Sequence, residues 1–507
     1  MRRLHRRDFL KLAGSLSASV ALQRVFRTSS HQPEQERPLQ SIIIILFDTM
    51  SAKNLSLYGY PRQTTPNLER FAERATVYHS HYSAGNYTVP GTASFLTGMY
   101  PWTHRAIHPS GLIKRAYETR NFFNLFGSAY QRVGFSQNIW ANSFLNQFDQ
   151  DINHHLPPSS FSDASLVVGE KFGNDHNAAF LAFDNSLASV KDAPSSLLLG
   201  LAENLMFSRR LNGAQGRDYP RGLPGLVDYP LYYRLEKVFD GVISECQNLG
   251  STHLAYFHFW SPHEPYRPHR KFINAFQDEL QVLAKPPHPM GDQTPQDSLD
   301  RLRRRYDQYI ANVDHEFGRL MNSLGQAGIL DRSYVVVTSD HGQMIERGVH
   351  GHVTPLLYEP IINIPLLISV PGQSSRKDVY SPSANIDVLP TLLQIADIEI
   401  PDWCIGQVLP GFFGDRADEQ RSIFSMEAKT NSAFAPFKKA TIVMRKGAYK
   451  LIAYFGYQEV EEGYELYDIE TDPEELKDLA REPPAEFARM KEELLDHLAD
   501  ANRPFER

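Results

Sequence analysis

The sequence predicts an α/β fold: a mainly parallel central sheet flanked by helices, with a small C-terminal antiparallel sheet plus helix. Three observations predict it. Four apolar runs, SIIIILFD (41–48), HLAYFHFW (253–260), SYVVVTSD (333–340) and NIPLLISV (363–370), have almost no polar interruption, as in strands covered on both faces. Helix-period stretches lie between them, the alternation of a parallel sheet. After about residue 410 the texture changes to alternating strands and a charged terminal helix. At 507 residues the chain is too long for one small core, so a large domain with a smaller one beside it is expected.

Taken in order, MRRLHRRDFLKLAGSLSASVAL joins Arg6-Arg7-Asp8-Phe9-Leu10-Lys11 to a short apolar run, Leu12 to Leu22, too short to span a bilayer. Basic residues before such a run mark an export signal, and Arg-Arg-x-Phe-Leu-Lys resembles the twin-arginine type. Residues 1–39 are therefore expected to be signal and linker, the protein to be exported to the periplasm or beyond, and membrane contact to be confined to this segment. No A-x-A site stands out, so a cleaved signal and a retained anchor both stay open. Pro66 to Arg74 has helix-start chemistry with Thr65 as N-cap. Residues 150–228, rich in Ser, Asn, Gly and Pro, read as an excursion from the core. Leu299 to Leu324 places Ile310, Val313, Phe317 and Leu320 at helical spacing. ATIVMRKGAYKLIAYF (440–455) predicts a hairpin turning at Lys-Gly, and Glu486 to Asp500 a helix. The expected domains are 40–410, catalytic, and 411–507, a small C-terminal subdomain.

The net charge of −7 argues against nucleic acid as a partner. Two cysteines, Cys246 and Cys404, with no CxxC pair, exclude a cysteine-rich zinc site or a disulfide framework; whether they pair is open. Nothing in the sequence sets an oligomeric state. A dinucleotide site is excluded because Asp-Thr-Met-Ser, and no Gly-x-Gly-x-x-Gly, follows the first strand.

Asp48 ends the first apolar run and Asp340 the third, with His341 and Gly342 next. The carboxyl ends of parallel strands line the ligand crevice, and a carboxylate buried there needs a cation or donor to offset it. Either Asp alone could simply cap a helix; together with His341 they predict a divalent cation site. Such a site needs a nucleophile, and NYTVPGTASFLTG (86–98) offers Thr88, although Asn-Tyr-Thr also matches a glycosylation acceptor. A cation lowers the pKa of a coordinated hydroxyl and neutralises an oxyanion on phosphorus or sulfur, so tetrahedral ester hydrolysis suits this set.

Over nearly all of residues 40–485 the chain resembles the sulfatase family of the alkaline phosphatase superfamily. The resemblance runs in order through DTMSAKNLSLYGYPRQTTPNLERFA, TVPGTASFLTGMYPWTHRA, FWSPHEPYRP, YIANVDHEFGRLM, TSDHG, NIDVLPTLLQIADI and ELYDIETDPEELKDLA. It implies metal ligation by Asp48, Asp340 and His341, with Thr88 as both nucleophile and ligand and His263 as a substrate-side donor. His350 or His352 falls where many members place a lysine that contacts the substrate oxyanion. GFSQNIWANSF replaces the Gly-Lys-Trp-His segment, with Asn142 as its obvious polar residue.

The departures narrow the chemistry. Sulfatases oxidise a Cys or Ser to formylglycine, and threonine would give a ketone, so no formylglycine is expected. Thr92 stands where the family's arginine lies, and Thr49 where many members have a second Asp. One divalent cation is expected, Ca²⁺, Mg²⁺ or Mn²⁺ from ligand hardness. The expected activity is cleavage of phosphate, phosphonate or sulfate esters of a small molecule, glycan or lipid. Alternatives are a phosphoglycerol- or phosphoethanolamine-type transferase and a non-catalytic binding protein on the same scaffold.

Overall fold

The computed structural model describes residues 40–165, 205–213, 215–226, 231–250, 252–278, 280, 282–412, 418, 420–460 and 463–506. The expected signal and linker, 1–39, and much of the expected excursion, 166–204, 214 and 227–228, lie outside the described residues.

The central sheet has eight strands: β1 (Ser41–Phe47), β2 (Thr76–Tyr78), β3 (Gln131–Ser136), β4 (His154–Leu156), β5 (His253–Phe259), β6 (Ser333–Ser339), β7 (Leu366–Ser369) and β8 (Lys377–Val379). Their order is β8-β2-β7-β6-β1-β5-β3-β4. β1 lies between β6 and β5 and is parallel to both, while β7 runs against both its neighbours. β1 is buried along its whole length because successive side chains enter opposite layers. Ile43, Ile45 and Phe47 join one core, and Ile42, Ile44 and Leu46 the other. That is the physical content of the unbroken apolar run.

Helices α1 (Pro66–Ala72), α2 (Thr88–Thr97), α3 (Ile139–Gln147), α4 (Leu235–Gln247), α5 (Gln296–Gln326) and α6 (Val388–Ile395) cover the sheet. α1 starts at Pro66 as expected, but Thr65 does not cap it through its side chain. The Thr65 hydroxyl is turned to Leu57 N and Ser56. Asp314, from α5, takes the free N–H groups of Asn67 (2.9 Å) and Leu68 (2.8 Å) in its place. Cys246, in the core, and Cys404 are both free thiols. No helix among the described residues is long and apolar enough to cross a membrane.

The C-terminal antiparallel sheet is β9 (Ile423–Glu427), β10 (Ala440–Lys446), β11 (Tyr449–Phe455) and β12 (Tyr464–Asp468), with α7 (Ala485–Asn502) against it. Two of the links that join it to the larger sheet's side bear on the site. Met426 N donates to Ala84 O (2.9 Å) and Ser425 Oγ to Ser83 O (2.5 Å), just before α2. Lys450 Nζ, fully buried, bonds Glu475 (2.6 Å) and Glu359 (3.1 Å), the latter opening the short helix Glu359–Ile362.

Candidate active site

The three middle strands of the sheet end together. Phe47 is paired with Ser339 on β6 and Phe259 on β5, so the residues at and beyond these ends converge. Asp48 N donates to Phe259 O (3.0 Å) and Asp340 N to Phe47 O (3.3 Å). This register brings Asp48, Asp340, His341 and His258 to one fully buried spot. His341 Nε2 lies 3.5 Å from both Asp48 Oδ1 and Asp340 Oδ2, and His258 Nε2 lies 3.7 Å from Asp340 Oδ2.

Those four atoms, Asp48 Oδ1, Asp340 Oδ2, His258 Nε2 and His341 Nε2, are buried without a regular hydrogen-bond partner among the described residues. Their other atoms are all engaged. Asn138 Nδ2 donates to Asp48 Oδ2 (2.5 Å), and the Thr49 (3.3 Å) and His341 (2.8 Å) N–H groups donate to Asp340 Oδ1. His341 Nδ1 faces Gly342 O (2.9 Å), which makes it the protonated nitrogen and leaves the Nε2 lone pair free. Burial, then the neighbouring carboxyl, pushes Asp48 well above the usual carboxylate range, and burial pushes Asp340 up to about 8. Burial likewise pulls His341 and His258 down to about 3. Asp48, His258 and Asp340 offer ligand atoms within 4.8 Å of one another, and the neutral His341 lone pair faces both carboxyls, so the buried pair could hold a divalent cation.

Thr88 begins α2, and its Oγ accepts from Asn138 Nδ2 (3.0 Å). Its hydroxyl also bears on the Asp340 carboxyl, where it helps to hold the pKa down. Asn138 is fixed from its other end: as N-cap of α3, its Oδ1 accepts from Trp140 N (2.8 Å) and Ala141 N (3.3 Å). The cap thus decides which way the amide points. α2 can approach this closely because residue 91 is glycine; a Cβ there would stand 2.5 Å from Asp340 O. The α2 N-terminus also favours negative charge on Thr88.

His263 and His352 line the same site. The His352 ring is 4.6 Å from that of His341 and 4.8 Å from that of His263, which packs 3.9 Å from Trp260. His263 Nδ1 donates to Glu264 O (2.7 Å) and His352 Nδ1 to Gln343 Oε1 (2.9 Å), so both keep Nε2 as an acceptor. Burial lowers His263 to about 4 and His352 well below its ordinary value. Asn86 Nδ2 ties the segment before Thr88 to His352 O (2.7 Å) and Thr354 O (2.9 Å).

Other expected residues stand further off. His350 pairs with Tyr266 OH (3.0 Å) and Glu264 (3.3 Å), so of the two histidines it is His352 whose ring meets His341. Asn142 lies on α3 one turn past the cap and bonds His155 (3.0 Å) and Asn146 (3.5 Å); Asn138 is the residue on Thr88. Thr92 and Thr49 are buried with Oγ1 unpartnered among the described residues. Thr49 holds a left-handed φ of 61°, uncommon for a β-branched residue. The loop after Asp340 is braced by the short helix: Gly342 N donates to Ile361 O (2.6 Å) and Gln343 N to Pro360 O (2.9 Å).

Sequence reasoning missed Asn138 and His258. The signal for Asn138 was its place as an N-cap directly after a buried strand. His258 sits inside an apolar run, and only the pairing of Leu46 with His258 across β1 and β5 reveals its neighbours.

Comparison with known proteins follows the same outline. The chain is 25% identical over 480 residues to the choline-sulfatase of Rhizobium meliloti, covering 87% of this chain and 83% of that one. It is 22% identical to the N-acetylglucosamine-6-O-sulfatase of Bacteroides thetaiotaomicron, over 96% of this chain and 90% of that one. Its fold matches the phosphonate monoester hydrolase of Silicibacter pomeroyi with a TM-score of 0.63 at 19% identity, over 91% and 96% of the two chains. The family model for N-sulphoglucosamine sulphohydrolase C-terminal regions matches residues 348–503. The sulfatase family model matches residues 40–398, and the chain belongs to the sulfatase family.

Proposed function

We propose that this hydrolase cleaves sulfate, phosphate or phosphonate esters, with Thr88 as nucleophile and one divalent cation held by Asp48, Asp340, His341 and the Thr88 hydroxyl. The observation that supports it is the convergence of Thr88, Asn138 and four orphaned ligand atoms at the carboxyl end of the sheet. A bound cation, in this reading Ca²⁺, Mg²⁺ or Mn²⁺, would offset the two carboxylates, acidify the hydroxyl and draw charge off the ester oxygens.

The chain's own residues do the rest. Asn138 places a donor on Thr88 Oγ, so the hydroxyl proton points to Asp340. Thr88 passes that proton to the Asp340 carboxyl as its oxygen attacks sulfur or phosphorus, the alcohol leaves with a proton from a protonated imidazole, and a threonine ester remains. Water then attacks that ester, giving one proton to the imidazole and its hydroxyl to sulfur or phosphorus, while the Thr88 oxygen leaves and recovers its proton from Asp340. His263 and His352 suit both transfers: they are neutral with free Nε2 atoms, and an anionic ester beside them favours protonation. Formylglycine has no part, because residue 88 is threonine.

The substrate is a small-molecule, glycan or lipid ester, and nucleic acid is not a partner. The export motif of residues 6–11 supports action in the periplasm or outside the cell. Domain limits of 40–410 and 411–507 go with this reading. Thr92 and Thr49 in place of charged family residues favour a non-catalytic binding protein, but a binding scaffold has no use for a buried carboxylate pair aimed at a cation.

An ester panel with Mn²⁺, Mg²⁺ or Ca²⁺ tests the proposal. Turnover is expected to vanish with EDTA and to fall at least ~10³-fold in Thr88→Ala, the scale of losing a covalent route. Wild-type turnover in Thr88→Ala would remove the mechanism.

A further inference from the structure

We propose that His258 is itself a metal ligand, which sets two imidazoles beside two single carboxylate oxygens and the Thr88 hydroxyl and selects a transition cation such as Mn²⁺ or Zn²⁺ over Ca²⁺. The inference rests on the metal reading of the site.

His258 shares its side of β5 with Tyr256, whose hydroxyl stands 3.0 Å from Nδ1. The ring is thereby held with Nε2 directed at Asp340. Nε2 is fully buried and has no hydrogen-bond partner among the described residues, and Asp340 Oδ2, 3.7 Å away, has none of regular geometry. A buried histidine kept for packing is expected to have its nitrogens satisfied. The gap is too long for a hydrogen bond. It suits two ligands of one ion: bonds of about 2.1 Å in a tetrahedron give edges of about 3.4 Å. The His341 edges, 3.5 Å to Asp48 Oδ1 and 3.5 Å to Asp340 Oδ2, are of the same size.

The choice of cation follows from what each carboxylate has left to offer. Asp48 Oδ2 is taken by Asn138, and Asp340 Oδ1 by two backbone N–H groups. Each Asp therefore presents one oxygen. Calcium needs roughly 6–8 oxygen ligands and favours bidentate carboxylates. Two single oxygens, a threonine hydroxyl and two imidazoles are a poor calcium set. Imidazole donors suit first-row transition cations.

The test compares metal binding to chelator-stripped wild type and His258→Leu, by metal analysis after dialysis and by thermal shift with Mn²⁺, Zn²⁺ or Ca²⁺. Wild type is expected to retain and be stabilised by Mn²⁺ or Zn²⁺ but not by Ca²⁺ at the same concentration. His258→Leu should lose at least ~100-fold in Kd for the transition cation, beyond the 10–100-fold range of outer partners, while its metal-free melting temperature stays at or above that of metal-free wild type. His258→Gln serves the same comparison if the leucine variant does not fold. Unchanged affinity in the variant, or preference of wild type for Ca²⁺, overturns the proposal while leaving a metal centre in place. Failure of all three cations to bind wild type overturns the metal reading itself.

Discussion

Asn138 is the residue through which helix capping and chemistry are joined, and two substitutions separate them. Its Oδ1 accepts from Trp140 N and Ala141 N, and its Nδ2 donates to Asp48 and Thr88. Asn138→Ser keeps a capping oxygen and loses both donations. Asn138→Ala loses the cap as well, at about 1 kcal/mol. The bond to Thr88 is of the ordinary kind, about 0.5–1.5 kcal/mol, and that to Asp48, onto a charge when metal is bound, about 1.5–3 kcal/mol. If roughly half of the total is felt only in the transition state, kcat falls about 5–45-fold, or about 1.0–2.3 kcal/mol. Initial rates on whichever aryl phosphate, phosphonate or sulfate wild type hydrolyses fastest measure this, with urea midpoints for stability. Both variants should lose the same kcat with KM little changed, and Ala should be about 1 kcal/mol less stable than Ser. Wild-type kcat in Asn138→Ser would leave Asn138 a helix cap and nothing more.

Three further outcomes are expected. His81 and His104 are fully buried, and burial lowers both to about 3. They stay neutral in the fold and take up protons on unfolding below about 6.5, so stability is lost as pH falls; at pH 5.5 each costs about 1.4 kcal/mol. Urea midpoints at pH 7.5 and 5.5 should show that loss reduced in the double variant His81→Asn/His104→Asn, and an equal loss in both proteins would assign it elsewhere. Lys450→Met leaves Glu359 and Glu475 buried together without their cation and should cost about 3–5 kcal/mol in denaturant; a change under 1 kcal/mol would mean that the pair is protonated or hydrated. Arg6→Lys with Arg7→Lys should stop accumulation of the enzyme in the periplasmic fraction, and normal accumulation would discard the twin-arginine reading.

Much of the fold could be read from the chain because β1, β5 and β6 are covered on both sides, which forces unbroken apolar runs. The reversed direction of β7 could not, since burial gives NIPLLISV the same pattern whichever way it runs. Asp48 and Asp340 were legible as polar residues ending such runs. His258 was not: it lies one residue before its strand's end, and its role appears only when the β1–β5 register is fixed. The role expected of Asn142 goes to Asn138, because β3 stops at Ser136 and α3 starts at Ile139, so the cap and not the first turn faces Thr88. Between His350 and His352 the hairpin geometry decides, which no spacing encodes.

The buried Lys450 bridge has a bearing on how this enzyme can be taken apart. Glu359 opens the short helix whose carbonyls at Pro360 and Ile361 hold the backbone just after Asp340 and His341. Lys450 grips that helix from β11, and β9 grips the chain before Thr88. The Thr88 segment and the Asp340–His341 loop thus both lean on the last hundred residues. The C-terminal sheet is a brace shared by the chain before Thr88 and the loop after Asp340, so grafting it from a relative, or trimming it to make a minimal catalyst, should loosen both segments together.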